Sequence, residues 1–142
     1  MSRKMYFGHP VNTYGTELEW RLLSLVTERF PQWEIVNPGD AAHEAGYQRY
    51  RAAKSGGMGY FFEEVLPECQ SGIFLPFRDG AWGAGVHGEA KFFLDRQRLV
   101  WRITHEGAIR LLGASLLAAL PVLSVEETRE RIRNADRSLK EY

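Results

Sequence analysis

Residues 72–77 read GIFLPF, an almost unbroken apolar run. A strand wetted on one face alternates apolar and polar side chains, so a run without alternation is one covered on both faces. That is the habit of a parallel sheet packed between helices. Pro76 cannot donate to a ladder and belongs at the strand's end. Directly afterwards residues 79–93 read DGAWGAGVHGEAKFF, with glycines at 80, 83, 85 and 88. Glycine costs backbone entropy, so this density marks a place where something comes close to the main chain. A phosphate, a sugar or another piece of protein would each meet that description.

The rest of the chain supplies the partners of such a strand. Residues 4–8 (KMYFG) form a short apolar strand that His9-Pro10 breaks. Thr16-Glu17-Leu18-Glu19 fits a capping box, and Leu18, Leu22, Leu25, Val26 and Phe30 recur at helical spacing. A second strand covers 34–36 and closes on the turn residues Asn37-Pro38-Gly39-Asp40. Residues 43–54 are helical but polar, hence a surface helix, which Gly56-Gly57 interrupts. A helix over 58–68 then buries Phe61, Phe62, Val65 and Leu66. Beyond the glycines come a helix over 86–96, a strand over 99–103, and a hairpin within 104–112 around His105-Glu106-Gly107. Ser124 and Glu127 make a second capping box, opening a charged helix that runs to about Lys140. Its Glu and Arg residues lie three or four apart, the spacing of a solvated face.

Strands alternating with helices predict an α/β fold, a three-layer Rossmann-like (flavodoxin-like) sandwich with a mostly parallel central sheet. The 142 residues carry no repeat or linker and read as one domain, 1–142. Basic and acidic residues balance at 18 each without a basic run, which argues against a nucleic-acid groove. Cys69 is alone, so neither an internal disulfide nor a zinc knuckle can form, and a buried apolar role is expected. The N-terminal residues MSRKMYFG show no apolar signal region, and the apolar stretch 111–123 is too short to span a bilayer. The expectation is a cytoplasmic protein without a membrane association.

The loop 78–85 leaves the carboxyl end of the central strand and enters a helix. Ligands of open parallel sheets bind at that edge, and a helix start offers free amides and a favourable dipole to an anion. A tight loop packed under the sheet edge would use the same glycines. Glu89 lies about one turn into the helix, so its carboxylate can point back at the loop. There it would serve as nucleophile or electrostatic partner at an anomeric carbon, or simply complement the helix dipole.

These residues resemble the nucleoside 2-deoxyribosyltransferase family and the related 2′-deoxynucleoside 5′-phosphate N-hydrolases. Met5-Tyr6-Phe7-Gly8 looks like the family's opening strand, and Gly83-Ala84-Gly85, Glu89 and Arg98-Leu99-Val100 follow in its order, over roughly residues 4–103. The resemblance implies that Glu89 attacks the deoxyribose anomeric carbon and that Tyr6 positions its carboxylate. It implies that Gly8, Gly83 and Gly85 lie against sugar or 5′-phosphate. It also implies a homo-oligomer, a dimer, in which neighbours complete each pocket, and a roof from the segment after the second strand, where Tyr47, Tyr50, Met58 and Tyr60 flank the glycine pair. Two family aspartates are missing: Gln70-Ser71-Gly72 stands at one place and Gly83 at the other. Asp79 is the substitute general acid within reach along the chain.

Arg78 would clamp a phosphate or carboxylate, Trp82 and Phe77 would stack on a base or cap the core, and Asn12 would touch substrate from the first loop. His87 and Glu89 are two apart and face different ways, and His9, His43 and His105 sit in unrelated segments, so no metal and no cofactor are expected. The reading is a glycosidase or deoxyribosyltransferase acting on a small nucleoside or nucleotide. A non-catalytic nucleotide-binding sensor is its alternative, and a purely structural loop a third.

Overall fold

The computed structural model describes residues 3–53 and 59–142. Four parallel strands and one antiparallel strand form a single sheet. They are β1 (Arg3–Gly8), β2 (Trp33–Val36), β3 (Ser71–Phe74), β4 (Val100–Ile103) and β5 (Ile109–Leu112), in the order β2-β1-β3-β4-β5. This mixed α/β arrangement is compatible with a Rossmann-like fold. β3 is buried along its whole length, as its unbroken apolar run requires. Its ladder stops at Phe74, earlier than the apolar run does. Leu75 N–H still reaches the Gly8 carbonyl at 2.9 Å, and Pro76 then leaves the sheet.

The sheet carries a core on each face. Met5, Phe7, Ile73 and Leu75 pack against Leu22, Val26 and Phe30 of helix α1 (Glu17–Arg29) and the residue that ends it. Tyr6 and Phe74 pack the other way, against Val86, Ala90 and Phe93 of helix α3 (Ala84–Asp95). The period-two alternation of strands that are apolar on both faces thus sorts one sequence run into two cores. Thr16 caps α1, accepting from Glu19 N–H, but the expected box does not close, because the Glu19 carboxylate accepts from Gly15 N–H instead. Helix α2 (Ala41–Ala53) buries only Gly46, in keeping with a polar surface helix. Lys54, Gly56-Gly57 and Met58, where the interruption and the next helix start were expected, lie outside the described residues.

Two more expectations are corrected, and one further helix is added. The segment expected as a helix to Glu68 is a π-helical turn (Phe61–Val65) followed by a 3-10 turn (Leu66–Glu68). Pro67 has no N–H and crowds the carbonyl four residues back, so a regular helix cannot pass it. A short helix α4 (Ala114–Ala119) forms within the apolar stretch 111–123. Helix α5 (Val125–Ile132) opens on its capping box but stops eight residues short of Lys140. Asn134 and Asp136 divert the chain there, because their side chains bond Ser138 and stabilise a turn. The hairpin between β4 and β5 forms as expected, with Gly107 at φ +96° in its turn.

Candidate functional site

The chain leaves β1 toward β2 on one side and returns to β3 on the other. Their carboxyl ends therefore frame a switch point, where an open sheet leaves a crevice. β1 delivers Tyr6, Gly8 and His9 to that crevice, and the loop after β3 delivers Phe77 and Gly83. The first turns of α3 bring Gly85, Val86 and Glu89. All but Gly8 line one cavity of about 340 Å³.

Glu89 sits at the cavity wall, 9% exposed, and accepts a hydrogen bond from the Tyr6 hydroxyl at 2.6 Å. Burial raises the Glu89 carboxyl to about 7, against the lowering effect of the Tyr6 bond. Burial and the neighbouring Glu89 raise the Tyr6 phenol well above its usual range, so it acts as a fixed donor. Gly8 is adjacent: a Cβ there would lie 3.1 Å from Glu89 Oε1 and 2.5 Å from the Phe74 ring. The absent side chain lets the carboxylate and the ring share the strand end.

His9, expected to be a surface or structural residue, is structural. Its Nε2 lies 2.9 Å from Asn37 Oδ1 and 3.4 Å from Glu19 Oε2, and its Nδ1 2.6 Å from Thr13 Oγ1. Burial lowers its pKa to about 4 and raises that of Glu19, so both ends of this contact are pushed toward their neutral forms.

The remaining wall is aromatic. Tyr47 of α2 stacks on Phe61 at 6.5 Å and 25°, and both line the cavity with Tyr14 and Phe62. Of the aromatic residues expected around the glycine pair, Tyr47 lines the cavity. Tyr60 instead packs over Gly46, and Tyr50 packs on Tyr60.

Four candidates lie elsewhere. Asp79 does not line the cavity; its carboxylate accepts from Arg131 at 2.7 Å, which keeps its pKa low, and from Ala81 N–H. Arg78 donates to the Tyr142 carbonyl and lies over the Tyr142 ring. Trp82 is a core residue, 1% exposed, bridged to Val122. Asn12 is buried and donates to the Lys140 carbonyl, while its Oδ1 has no partner among the described residues.

The Trp82 bridge explains what sequence reasoning missed. It pins the chain at Val122–Leu123 beside the glycine loop, so α5 falls across the start of α3. Thr128 Oγ1 then accepts from Ala84 N–H at 2.9 Å, so this first amide is engaged rather than free as expected. Gly83 packs under Thr128, whereas Gly85 has open space around it. Val125, Thr128 and Ile132 line the cavity together with Arg129 and Arg133. Their spacing of three and four was visible in the sequence, but the charge of the helix masked it.

Among the described residues no helix is long and apolar enough to cross a membrane, and no three His, Cys, Asp or Glu side chains are grouped to hold a metal ion. No protein-family model matches the chain, and neither the curated proteins nor the solved structures contain a significant match to it.

Proposed function

We propose that the chain cleaves the N-glycosidic bond of a nucleoside or nucleotide, by hydrolysis or by transfer, with Glu89 as nucleophile. The observation that carries this reading is the 2.6 Å Tyr6–Glu89 hydrogen bond on the wall of an aromatic cavity. A buried carboxyl with a pKa of about 7 is balanced between its two forms at neutral pH, the poise expected of a group in acid–base or nucleophilic work. The resemblance of Tyr6, Gly83, Gly85 and Glu89 to the deoxyribosyltransferases supplies the substrate class.

In this mechanism ionised Glu89 attacks the anomeric carbon. The bond from that carbon to the base nitrogen breaks, and its electron pair leaves on the base, which takes a proton from water. Water or a second base then attacks the same carbon and releases the carboxylate, the retaining sequence for paired displacements. Tyr6 holds one carboxylate oxygen so that the other faces the sugar. The aromatic wall of Tyr47, Phe61 and Phe62 offers a stacking surface to the base. The reading includes a three-layer flavodoxin-like sandwich, to which the strand order 2-1-3-4-5 belongs. A homodimer in a cytoplasmic setting completes it.

A sensor module without catalysis is the second reading. It is favoured by the lining itself, in which Glu89 is the one carboxylate among the described residues, so no second acid assists the departing base. Base release from deoxynucleosides and their 5′-monophosphates, followed by chromatography, tests both. Release by the native protein and not by Glu89→Ala supports the glycosidase. Thermal stabilisation by the same compounds without base release supports the sensor.

A further inference from the structure

A second and larger cavity, of about 1130 Å³, opens beside the Glu89 pocket and shares Arg129 and Arg133 with it. Its walls carry five cationic side chains, those of Arg51, Arg129, Arg133, Arg137 and Lys140, against two carboxylates, Glu126 and Glu130. The chain as a whole is neutral, so this excess is local. Among the described residues none of the five lies in an ion pair within 4.0 Å. Arg133 uses one guanidinium nitrogen on the Arg137 carbonyl at 2.9 Å, which leaves the rest of its fork open.

The basin's cations outnumber its carboxylates by three, five against two. Arg129 and Arg133 are one helical turn apart, and like charges at that spacing repel. A multiply charged anion between these groups removes the repulsion, and guanidinium forks match phosphate oxygens in geometry. A monophosphate would neutralise only part of the excess and fill little of the basin.

We infer that the basin holds the phosphate chain of a nucleoside di- or triphosphate whose sugar lies at Glu89. The inference rests on the glycosidic reading only for the sugar's place; the phosphate chemistry stands on the basin. Arg129 and Arg133, which line both spaces, mark where the two parts of the ligand join. Affinity then rises with each phosphate and falls with salt.

Calorimetric titration tests this, with Glu89→Gln used to avoid turnover. The ligands are a deoxynucleoside, its 5′-mono-, di- and triphosphates, and inorganic tripolyphosphate. Affinity should rise about tenfold for each of the first two phosphates, the size of a charge-assisted hydrogen bond gained. Adding Arg129→Ala and Arg133→Ala should weaken the diphosphate about a hundredfold, weaken the nucleoside by a much smaller factor, and leave the melting transition cooperative. Both side chains are exposed, and Arg129→Lys with Arg133→Lys should restore part of the affinity. Equal affinity along the series, or a diphosphate indifferent to the arginines, overturns the inference. So does tripolyphosphate binding as tightly as the nucleoside triphosphate. Base release is scored separately on the native protein: a rising series without release defeats the glycosidase alone, and release with a flat series defeats this inference alone.

Discussion

The Tyr6 hydroxyl reaches from β1 to the Glu89 carboxylate on α3, 2.6 Å away and 83 residues along the chain. The bond opposes the effect of burial, because it favours the ionised form of Glu89. Tyr6→Phe keeps the ring packing on Phe61 and Phe74 and removes only the hydroxyl. Base release should fall by about 10- to 100-fold, the worth of one hydrogen bond to a charged group. The loss should be greater at pH 6 than at pH 9, since the carboxyl pKa moves further up. An equal loss at both would mean that Tyr6 acts on the substrate and not through Glu89.

A nucleophile must be ionised, and Glu89 ionises at about 7. The rate should therefore rise about tenfold per pH unit below 7 and level off above it. Steady-state base release from pH 5 to 9 measures this in the kcat/KM profile. A limb centred near 4.5 would show a carboxyl in ordinary solvation and would remove Glu89 from the role.

Asp79 is held by Arg131 and Ala81 N–H away from the cavity. Asp79→Asn should leave base release within about twofold of native. Its effect on stability should be small, since exposed ion pairs contribute about 0–1 kcal/mol. A loss of a hundredfold or more would return this residue to the reacting centre.

The parts of the fold set by local pattern were legible. The unbroken run at 72–77 announced a strand covered on both faces, and the capping signals at Thr16 and Ser124 marked two helix starts. Tyr6 and Glu89 were legible as a pair only through the resemblance, because nothing local links a β1 tyrosine to an α3 carboxylate. Asp79 was misplaced because its proximity along the chain says nothing of the Arg131 that captures it from 52 residues away. Arg129 and Arg133 were missed for a related reason. Their place at the cavity depends on the Trp82–Val122 bridge, a long-range contact between two loops with no periodic signal.

The pH dependence of stability separates two buried groups of opposite sign. Glu89 binds its proton more tightly folded (about 7) than unfolded (4.5), so between those values the native state holds more protons and loses stability as pH rises. His9 binds its proton less tightly folded (about 4) than unfolded (6.5), so the native state gains stability as pH rises through that window. Each effect amounts to about 3 kcal/mol, and they oppose each other between pH 4.5 and 6.5. Glu19, also raised by burial, adds to the Glu89 side. Urea unfolding of the native protein should therefore show a shallow profile there, falling toward pH 7. Glu89→Gln should rise from pH 4.5 to 6.5 instead, and be the more stable of the two at pH 8. Parallel profiles would mean that Glu89 is not desolvated.

Gly8 owes its identity to contact rather than to turn geometry, for it lies within β1 and buries its face against Phe74 and Glu89. A Cβ there would come within 2.5 Å of a ring that is itself fully buried and has no room to withdraw. Gly8→Ala should cost about 1–3 kcal/mol, as overpacked cores do. Because the same Cβ would press on Glu89 Oε1, activity should fall further than the lost stability explains, even at temperatures where the variant is fully folded. Calorimetric melting and base release measured together decide it: normal turnover per folded molecule would show that Phe74 alone absorbs the methyl group.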